Sequence, residues 1–247
     1  MTHASPVVRR GGRLAAIALF AALLALFAGC GAAASTPSAA TTRTVIDVTG
    51  VPVQVPANPT RVVPLSEPTL DGVLALGVTP IGTVSGRGQS GVPNYLAEQA
   101  AGVPLLGGIG QPNYEAIGAA KPDLILIDGT SVNNNQPMLE ALQQIAPVVN
   151  TGYAGGEWRT NFRNVAAALG RIEQGERVIA DYEAAVAAAR VALTPVQAKT
   201  FSIVRWQGTA PALILKELPP GQALTDLGLR RPAAQDTFGR GHSEPVS

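Results

Sequence analysis

The sequence predicts an α/β protein of two lobes, each built on a mainly parallel sheet flanked by helices, with a single rigid helix joining them. Short apolar runs bounded by turn residues alternate with helical segments between residues 61 and 150, a pattern typical of βαβ units. The run LILI at 124–127 is continuously apolar, as expected for a strand buried on both faces of its sheet. An Ala-rich helical segment at 173–193 is longer than any before it, and strand and helix patterns resume after it.

The first lobe begins with a predicted β-hairpin, because valines lie on both sides of the turn signal Thr49-Gly50. Asn58-Pro59 then breaks the chain, and strands alternate with helices. The predicted strands cover 61–65, 80–84, 103–106, 124–127 and 147–150. The predicted helices cover 69–76, 94–101, 114–120 and 137–145.

Helical patterns at 157–169 and 173–193 follow, separated by Gly170. Beyond them we expect strands at 200–206 and 212–216 and a helix at 223–229. The predicted organisation is a signal peptide at 1–29, a flexible Ala/Ser/Thr/Pro tether at 30–43, a first lobe at 44–155, a connecting helix at 156–170 and a partial second lobe at 171–247.

The N-terminus has the layout of a secretory signal peptide. Arg9, Arg10 and Arg13 precede a charge-free apolar run at 14–27, which is shorter than the roughly 20 residues that span a bilayer. Cys30 is the only cysteine of the chain, and the segment around it resembles a lipoprotein signal, in which this cysteine is acylated. We therefore predict lipidation at Cys30 and a location on the extracytoplasmic side of the cell membrane. The alternative is an ordinary signal peptide cleaved past 32–34.

Composition excludes several classes of function. The formal net charge is +1, and cleavage before Cys30 removes three arginines and no acid, so no basic face for nucleic acid is expected. The chain has two histidines and one cysteine, too few for a zinc or manganese cage or a His-ligated haem. The sequence also lacks a G-x-S-x-G nucleophile motif. We predict a protein that is not an enzyme and has no cofactor.

Four segments carry a resemblance to a known family: VTGVPVQVPANPTRVVPL, DGVLALGVTPIGT, LLGGIGQPNYEAIGAAKPDLILID and GQALTDLGLRRP. They resemble the class III, helical-backbone solute-binding proteins of ABC importers, the branch that takes up ferric siderophores, haem and cobalamin. The resemblance runs from about Thr44 to the end of the chain. It implies two lobes around a ligand cleft, a ferric siderophore as ligand and the permease subunits of an importer as partners. The same fold binding haem or cobalamin is the alternative ligand class.

Candidate ligand-binding residues lie in loops at the carboxyl ends of the predicted strands, where open α/β sheets bind ligands. Arginine offers charged donors to the oxygens around ferric iron, and tryptophan offers a flat apolar wall. In the second lobe the candidates are Arg205, which the resemblance favours, and Trp206, with core packing of Trp206 and a surface ion pair of Arg205 as the alternative. The first-lobe candidates are Ser66, Glu67, Arg87, Tyr153 and Trp158.

Two further expectations concern Glu115 and the chain end. The resemblance places a permease-docking acid at Glu115, with an ordinary solvated helix acid as the alternative. It also leads us to expect that Ser247 precedes a further helix, so that the second lobe is truncated.

An enzyme hypothesis from another class rests on the loop 86–91, GRGQSG, which matches the dinucleotide motif G-x-G-x-x-G after a predicted strand. Pro93 follows directly, and no acidic residue ends a strand about 20 residues on, so the context of that motif is incomplete.

Overall fold

A computed structural model describes residues 1–3, 41–131, 135–153, 155–207 and 210–239. The described residues from 41 onward belong to one compact unit, Ala40–Ser247. Residues 4–29 of the predicted signal peptide, Cys30 and most of the tether lie outside the described residues. Among the helices of the described part, none is both long enough and apolar enough to cross a bilayer.

The N-terminal region, residues 41–153, alternates strands and helices as predicted. Its strands are β1 (Thr42–Ile46), β2 (Pro52–Pro56), β3 (Val62–Pro64), β4 (Thr83–Ser85), β5 (Leu105–Gly108), β6 (Gln111–Pro112), β7 (Leu124–Ile127) and β8 (Val148–Asn150). Its helices are α1 (Glu67–Ala75), α2 (Tyr114–Ala119) and α3 (Gln136–Gln143).

Parallel pairing dominates this region. Strands β3, β7 and β8 form one three-stranded parallel sheet in that order. A second sheet contains the parallel pair β4–β5 and the short antiparallel strand β6. The hairpin predicted around Thr49-Gly50 is confirmed as the antiparallel pair β1–β2, and Gly50 takes a φ of 86° at its turn, which glycine adopts without steric cost.

Alternate residues of β7 serve two separate hydrophobic cores. Leu124 and Leu126 pack on one face of the sheet with residues of the β1–β2 hairpin and of α1. Ile125 and Ile127 pack on the opposite face with residues of α2 and α3. Successive strand residues point to opposite faces, so the continuously apolar run read from the sequence is confirmed as a strand covered on both sides.

Two helices follow the N-terminal region: α4 (Trp158–Leu169) and α5 (Ile172–Ala192). Helix α4 ends at Gly170, whose φ is 70°, and α5 begins two residues later. Val165 and Leu169 of α4 belong to the core cluster that covers β7. Helix α5 is the longer of the two, at 21 residues and about 30 Å. The role of residues 156–170 as the connecting helix stays a prediction.

The C-terminal region, residues 200–239, differs from the prediction. Its strands β9 (Val204–Gln207) and β10 (Ala210–Leu213) form an antiparallel hairpin, whereas we expected mainly parallel sheets in both lobes. Because too few residues separate the two strands for a crossover helix, only antiparallel pairing is open to them. The predicted helix at 223–229 is observed earlier, as α6 (Pro219–Asp226).

One predicted helix is wrong. Residues 94–101 form only a three-residue 3-10 turn, Asn94–Leu96, followed by further turns. Leu96 and Ala100 are buried, so their i, i+4 spacing reflects packing of a turn region rather than a continuous helix.

Candidate functional site

A cavity of about 340 Å³ opens among the loops that follow β4, β5 and β7. This is the edge of the sheets at which ligand sites were predicted. The lining residues combine a guanidinium, hydroxyl and amide groups, and two apolar side chains. They are Arg87, Ile109, Gly110, Thr130, Ser131, Asn135 and Met138.

Arg87 is the predicted site residue that the structure places in this cavity. Its backbone N–H donates to Oε1 of Glu67 at 2.7 Å, and its Nη2 donates to the carbonyl of Thr130 at 3.3 Å. The side chain is otherwise exposed. Glu67 therefore fixes the backbone of the Arg87 loop, while the remaining guanidinium N–H groups can donate to a ligand.

Ser66 is buried and caps a helix, so it is not open to a ligand. Its side chain is 1 % exposed and forms a capping box at the start of α1, where its hydroxyl accepts from the N–H of Thr69. Such a cap satisfies a backbone donor that the helix leaves unpaired. Ser66 does not line the cavity, so we leave it out of the proposed ligand contacts.

Behind the cavity lies Asp128, a residue that sequence reasoning missed. Its side chain is 3 % exposed, directly after β7. Burial raises the pKa of the Asp128 carboxyl, and hydrogen bonds from Thr130, Ser66 and Ser131 offset part of that rise. The available signal was the run DGTS after a buried strand, because aspartate and serine commonly order the turns that leave a sheet.

Tyr153 lies at a different place on the surface. It is 52 % exposed, and its hydroxyl donates to the carbonyl of Val48 at 3.3 Å, beside the turn of the β1–β2 hairpin. Its position as an aromatic wall of the ligand cleft stays a prediction, and it is not among the residues that line the cavity.

Trp158 belongs to a cluster that joins α4, α5 and α6. Its ring meets that of Tyr182 edge to face at a centroid distance of 4.7 Å, and the guanidinium of Arg159 lies 4.7 Å from the Trp158 ring. Arg159 also pairs with Asp226 at 3.0 Å. These contacts engage the indole in helix packing, an arrangement that the assignment of Trp158 to the ligand site did not predict.

Arg205 and Trp206 are both exposed on β9, with Trp206 at 69 %. The alternative of a core-packed Trp206 is therefore wrong. The strand continues to Gln207, so neighbouring side chains point to opposite faces of the hairpin. One face of β9 cannot present both residues to the same ligand while it remains a strand.

Glu115 is exposed in the first turn of the six-residue helix α2. An acid there is favourable because of the partial positive charge of a helix N-terminus. This position fits both a docking acid and an ordinary solvated acid, so the docking role stays a prediction.

The loop of the dinucleotide hypothesis closes on itself. The N–H of Gly86 donates to the carbonyl of Gly91 at 2.8 Å, and a 3-10 turn rather than an α-helix follows. The motif binds a pyrophosphate at the N-terminus of a helix, and the structure lacks that helix after the loop. Within the described residues, no group of three or more His, Cys, Asp or Glu side chains could hold a metal ion.

Comparison with known proteins identifies the family of this chain. The family model described as periplasmic binding protein matches residues 62–247. A relative from Bacillus subtilis (strain 168), "Probable siderophore-binding lipoprotein YfiY", is 34 % identical over 200 residues, which cover 80 % of this chain and 60 % of the relative. The chain thus spans about 60 % of the length of that relative.

Solved structures agree on the fold. SirA of Staphylococcus aureus, complexed with staphyloferrin B, matches with a TM-score of 0.67 at 24 % identity, over 78 % of this chain and 66 % of SirA. The siderophore periplasmic binding protein from the fuscachelin gene cluster of Thermobifida fusca matches with a TM-score of 0.58 at 26 % identity, over 74 % of this chain and 67 % of that protein. Since the family model covers more than half of the chain, this protein belongs to the periplasmic binding protein family.

Proposed function

We propose that this chain is the ligand-binding lipoprotein of an ABC importer, which captures a ferric siderophore and delivers it to the permease. The observation that carries the proposal is the position of Arg87 in a cavity at the carboxyl ends of the strands. The similarity to a relative named as a siderophore-binding lipoprotein supports the same ligand class.

The cavity suits the chemistry of a ferric siderophore. Such a ligand presents negatively polarised oxygens around the metal and apolar arms outside them. The guanidinium of Arg87 and the side-chain amide of Asn135 provide donors for ligand oxygens, whereas the hydroxyls of Thr130 and Ser131 already donate to Asp128. Met138 provides an adaptable apolar contact for the arms. The iron is cargo held by its own chelator, so the site needs no protein ligand to the metal.

Residues outside the cavity complete the proposal. Arg205 would contribute the ligand contact from the C-terminal region, while Trp206 lies on the opposite face of β9 and outside that contact. Cys30, outside the described residues, would carry the lipid that holds the protein on the extracytoplasmic side of the membrane. Glu115 would meet a basic residue of the permease.

The direct test is a tryptophan fluorescence titration of the chain with ferric siderophores of hydroxamate, catecholate and carboxylate type. We expect saturable quenching by at least one of them. Arg87→Ala should weaken that binding about tenfold, because a charge-assisted hydrogen bond is lost. Arg177→Ala, which removes an exposed arginine of α5, is the matched control and should leave the affinity unchanged.

Each contrary result has a distinct meaning. If the chain binds only haem or cobalamin, its ligand belongs to the alternative class and the fold assignment is unchanged. Quenching by NAD alone would support a nucleotide-binding enzyme and overturn the proposal. Full affinity in Arg87→Ala would show that the ligand does not bind in this cavity. Full affinity in Arg205→Ala would show that Arg205 does not contact the ligand.

A further inference from the structure

Asp128 is a buried carboxylate that the ligand itself does not reach. It is 3 % exposed and is absent from the cavity lining, whereas Thr130 and Ser131, two and three residues later, form part of that lining. The groups that hydrogen-bond it are neutral: Thr130, Ser66 and the backbone of Ser131. Burial of a carboxylate is costly, which raises the question of what Asp128 contributes.

Its contacts converge on Thr130. One carboxylate oxygen, Oδ1, accepts from the Thr130 N–H at 2.9 Å and from the Thr130 hydroxyl at 2.5 Å. Hydrogen bonds to an ionised acceptor are stronger than those between neutral groups. The Asp128 backbone adds a second attachment to the same turn, because its N–H and carbonyl both pair with the Ser131 hydroxyl.

Thr130 in turn holds Arg87. Its carbonyl accepts from Nη2 of Arg87 at 3.3 Å, across 43 residues of sequence. The Arg87 backbone is fixed separately by Glu67, so the Thr130 carbonyl is the contact that sets the direction of the guanidinium. A displacement of Thr130 therefore changes where the charged donor of the cavity points.

We propose that Asp128 is a positioning residue of the binding site: its buried carboxylate fixes Thr130, and Thr130 directs the Arg87 guanidinium toward the ligand oxygens. This inference rests on the proposed function, since it assigns a role within the same cavity. It predicts that Asp128 acts on the ligand through Arg87 and through no direct contact.

The test is a double-mutant cycle with the ferric siderophore that binds the unaltered chain. Asp128→Ala should lower the affinity about tenfold, as expected when a buried hydrogen-bonded partner is lost. Asp128→Asn keeps a side-chain oxygen that can accept from Thr130 and should stay within about threefold of the unaltered chain. In an Arg87→Ala background, Asp128→Ala should cause little further loss, because contacts that act as a unit are not additive.

Thr130→Ala provides a second route if Asp128→Ala fails to fold. It removes the hydroxyl and the γ-methyl group of a half-buried residue, and its smaller loss of affinity should also vanish in the Arg87→Ala background. Additive losses in either cycle, or an Asp128→Asn variant as weak as Asp128→Ala, would overturn the positioning role. Purely structural damage from either substitution would give such additive losses.

Failure of the proposed function gives a different result. If no ferric siderophore binds the unaltered chain, that function is wrong, and amide hydrogen exchange in the absence of ligand then decides the positioning role. We expect faster exchange at Thr130 in Asp128→Ala than in Asp128→Asn, with the β7 amides unchanged. Equal exchange at Thr130 in the two variants would refute it.

Discussion

At the scale of single residues, the site depends on groups whose burial sets their chemistry. Asp128 is almost fully enclosed, while Arg87, two hydrogen bonds away, is exposed. In the proposed site, the buried acid orders the backbone and the exposed base meets the ligand. We therefore expect the protonation state of Asp128 to affect both the stability of the fold and the order of the cavity wall.

Asp128 should make the stability of the protein depend on pH. Burial raises the pKa of this carboxyl, so the folded chain binds a proton at a higher pH than the unfolded chain does. The unfavourable contribution of Asp128 to the free energy of folding therefore grows as the pH rises from the pKa of the unfolded chain, about 3.9, to the higher pKa of the folded chain. Above the folded pKa this contribution is constant.

The matched variant is Asp128→Asn, which does not titrate. We expect urea unfolding to show a stability advantage of Asp128→Asn over the unaltered chain that is larger at pH 7 than at about pH 4. An advantage that grows toward acid would mean that the folded state favours the ionised carboxylate, so that hydrogen bonding outweighs burial in setting the pKa of Asp128.

At the scale of elements, the junction between α4 and α5 depends on one glycine. Gly170 has a φ of 70°, and a Cβ built there would lie 2.8 Å from the carbonyl oxygen of Ala57. Left-handed backbone is unfavourable for other residues, and the neighbouring atom belongs to the backbone, which cannot easily move. The turn between the two helices therefore requires glycine for two separate reasons.

Gly170→Ala should destabilise the protein by about 1–3 kcal/mol, measured as a lower midpoint in urea unfolding. Gly118→Ala is the matched control, because Gly118 lies within α2 and a Cβ there meets nothing within 4 Å. Alanine is favoured over glycine inside a helix by about 0.5–1 kcal/mol, so this control should be neutral or stabilising. Equal losses in both variants would show that the conformation at Gly170 is not the cause.

The strands show where sequence patterns predict elements and where they do not. The strand at 124–127 is predicted with its observed bounds. Pro122 and Asp128 bound an apolar segment that is too short for a typical helix, so a buried strand is the structure that fits it. The strand predicted at 200–206 begins only at Val204. Val204, Arg205 and Trp206 are all exposed, so these residues show no buried face. The sequence pattern also predicts a second strand nearby, but it does not reveal that this strand pairs antiparallel with β9.

At the scale of the whole molecule, the C-terminal region is fastened to the helices by a charged and aromatic cluster. Arg159 lies 4.7 Å from the ring of Trp158 and 5.2 Å from that of Tyr182, and it pairs with Asp226 of α6. The Tyr182 hydroxyl donates to the same carboxylate at 2.8 Å. Burial and this bond to Asp226 raise the pKa of Tyr182 to about 12, so the hydroxyl remains a donor at physiological pH.

Arg159→Ala should loosen α6 without unfolding the N-terminal region. Because Arg159 links α4 to Asp226, we expect amide hydrogen exchange in Pro219–Asp226 to rise about tenfold while the β7 amides stay protected. Arg163→Ala is the matched control: the Arg163–Glu176 pair joins α4 to α5 at the surface, where ion pairs contribute about 0–1 kcal/mol. Equal acceleration of exchange in both regions would contradict a local fastening.

The sequence by itself determined the α/β class, the N-terminal hairpin, most of the strand and helix order up to residue 150, and the family resemblance that the comparisons confirm. These follow from local periodicity and turn residues, which act over a few positions. It also placed Arg87 in a loop at the carboxyl end of a strand.

Only the tertiary structure decided which loop residues meet. The contact of Arg87 with Thr130 spans 43 residues, and that of Trp158 with Gln222 spans 64. The engagement of Trp158 in helix packing depends equally on a distant neighbour, Tyr182, that folding supplies. A local pattern fixes which backbone conformation a segment prefers, whereas the burial and partners of each side chain depend on distant segments brought together by the core.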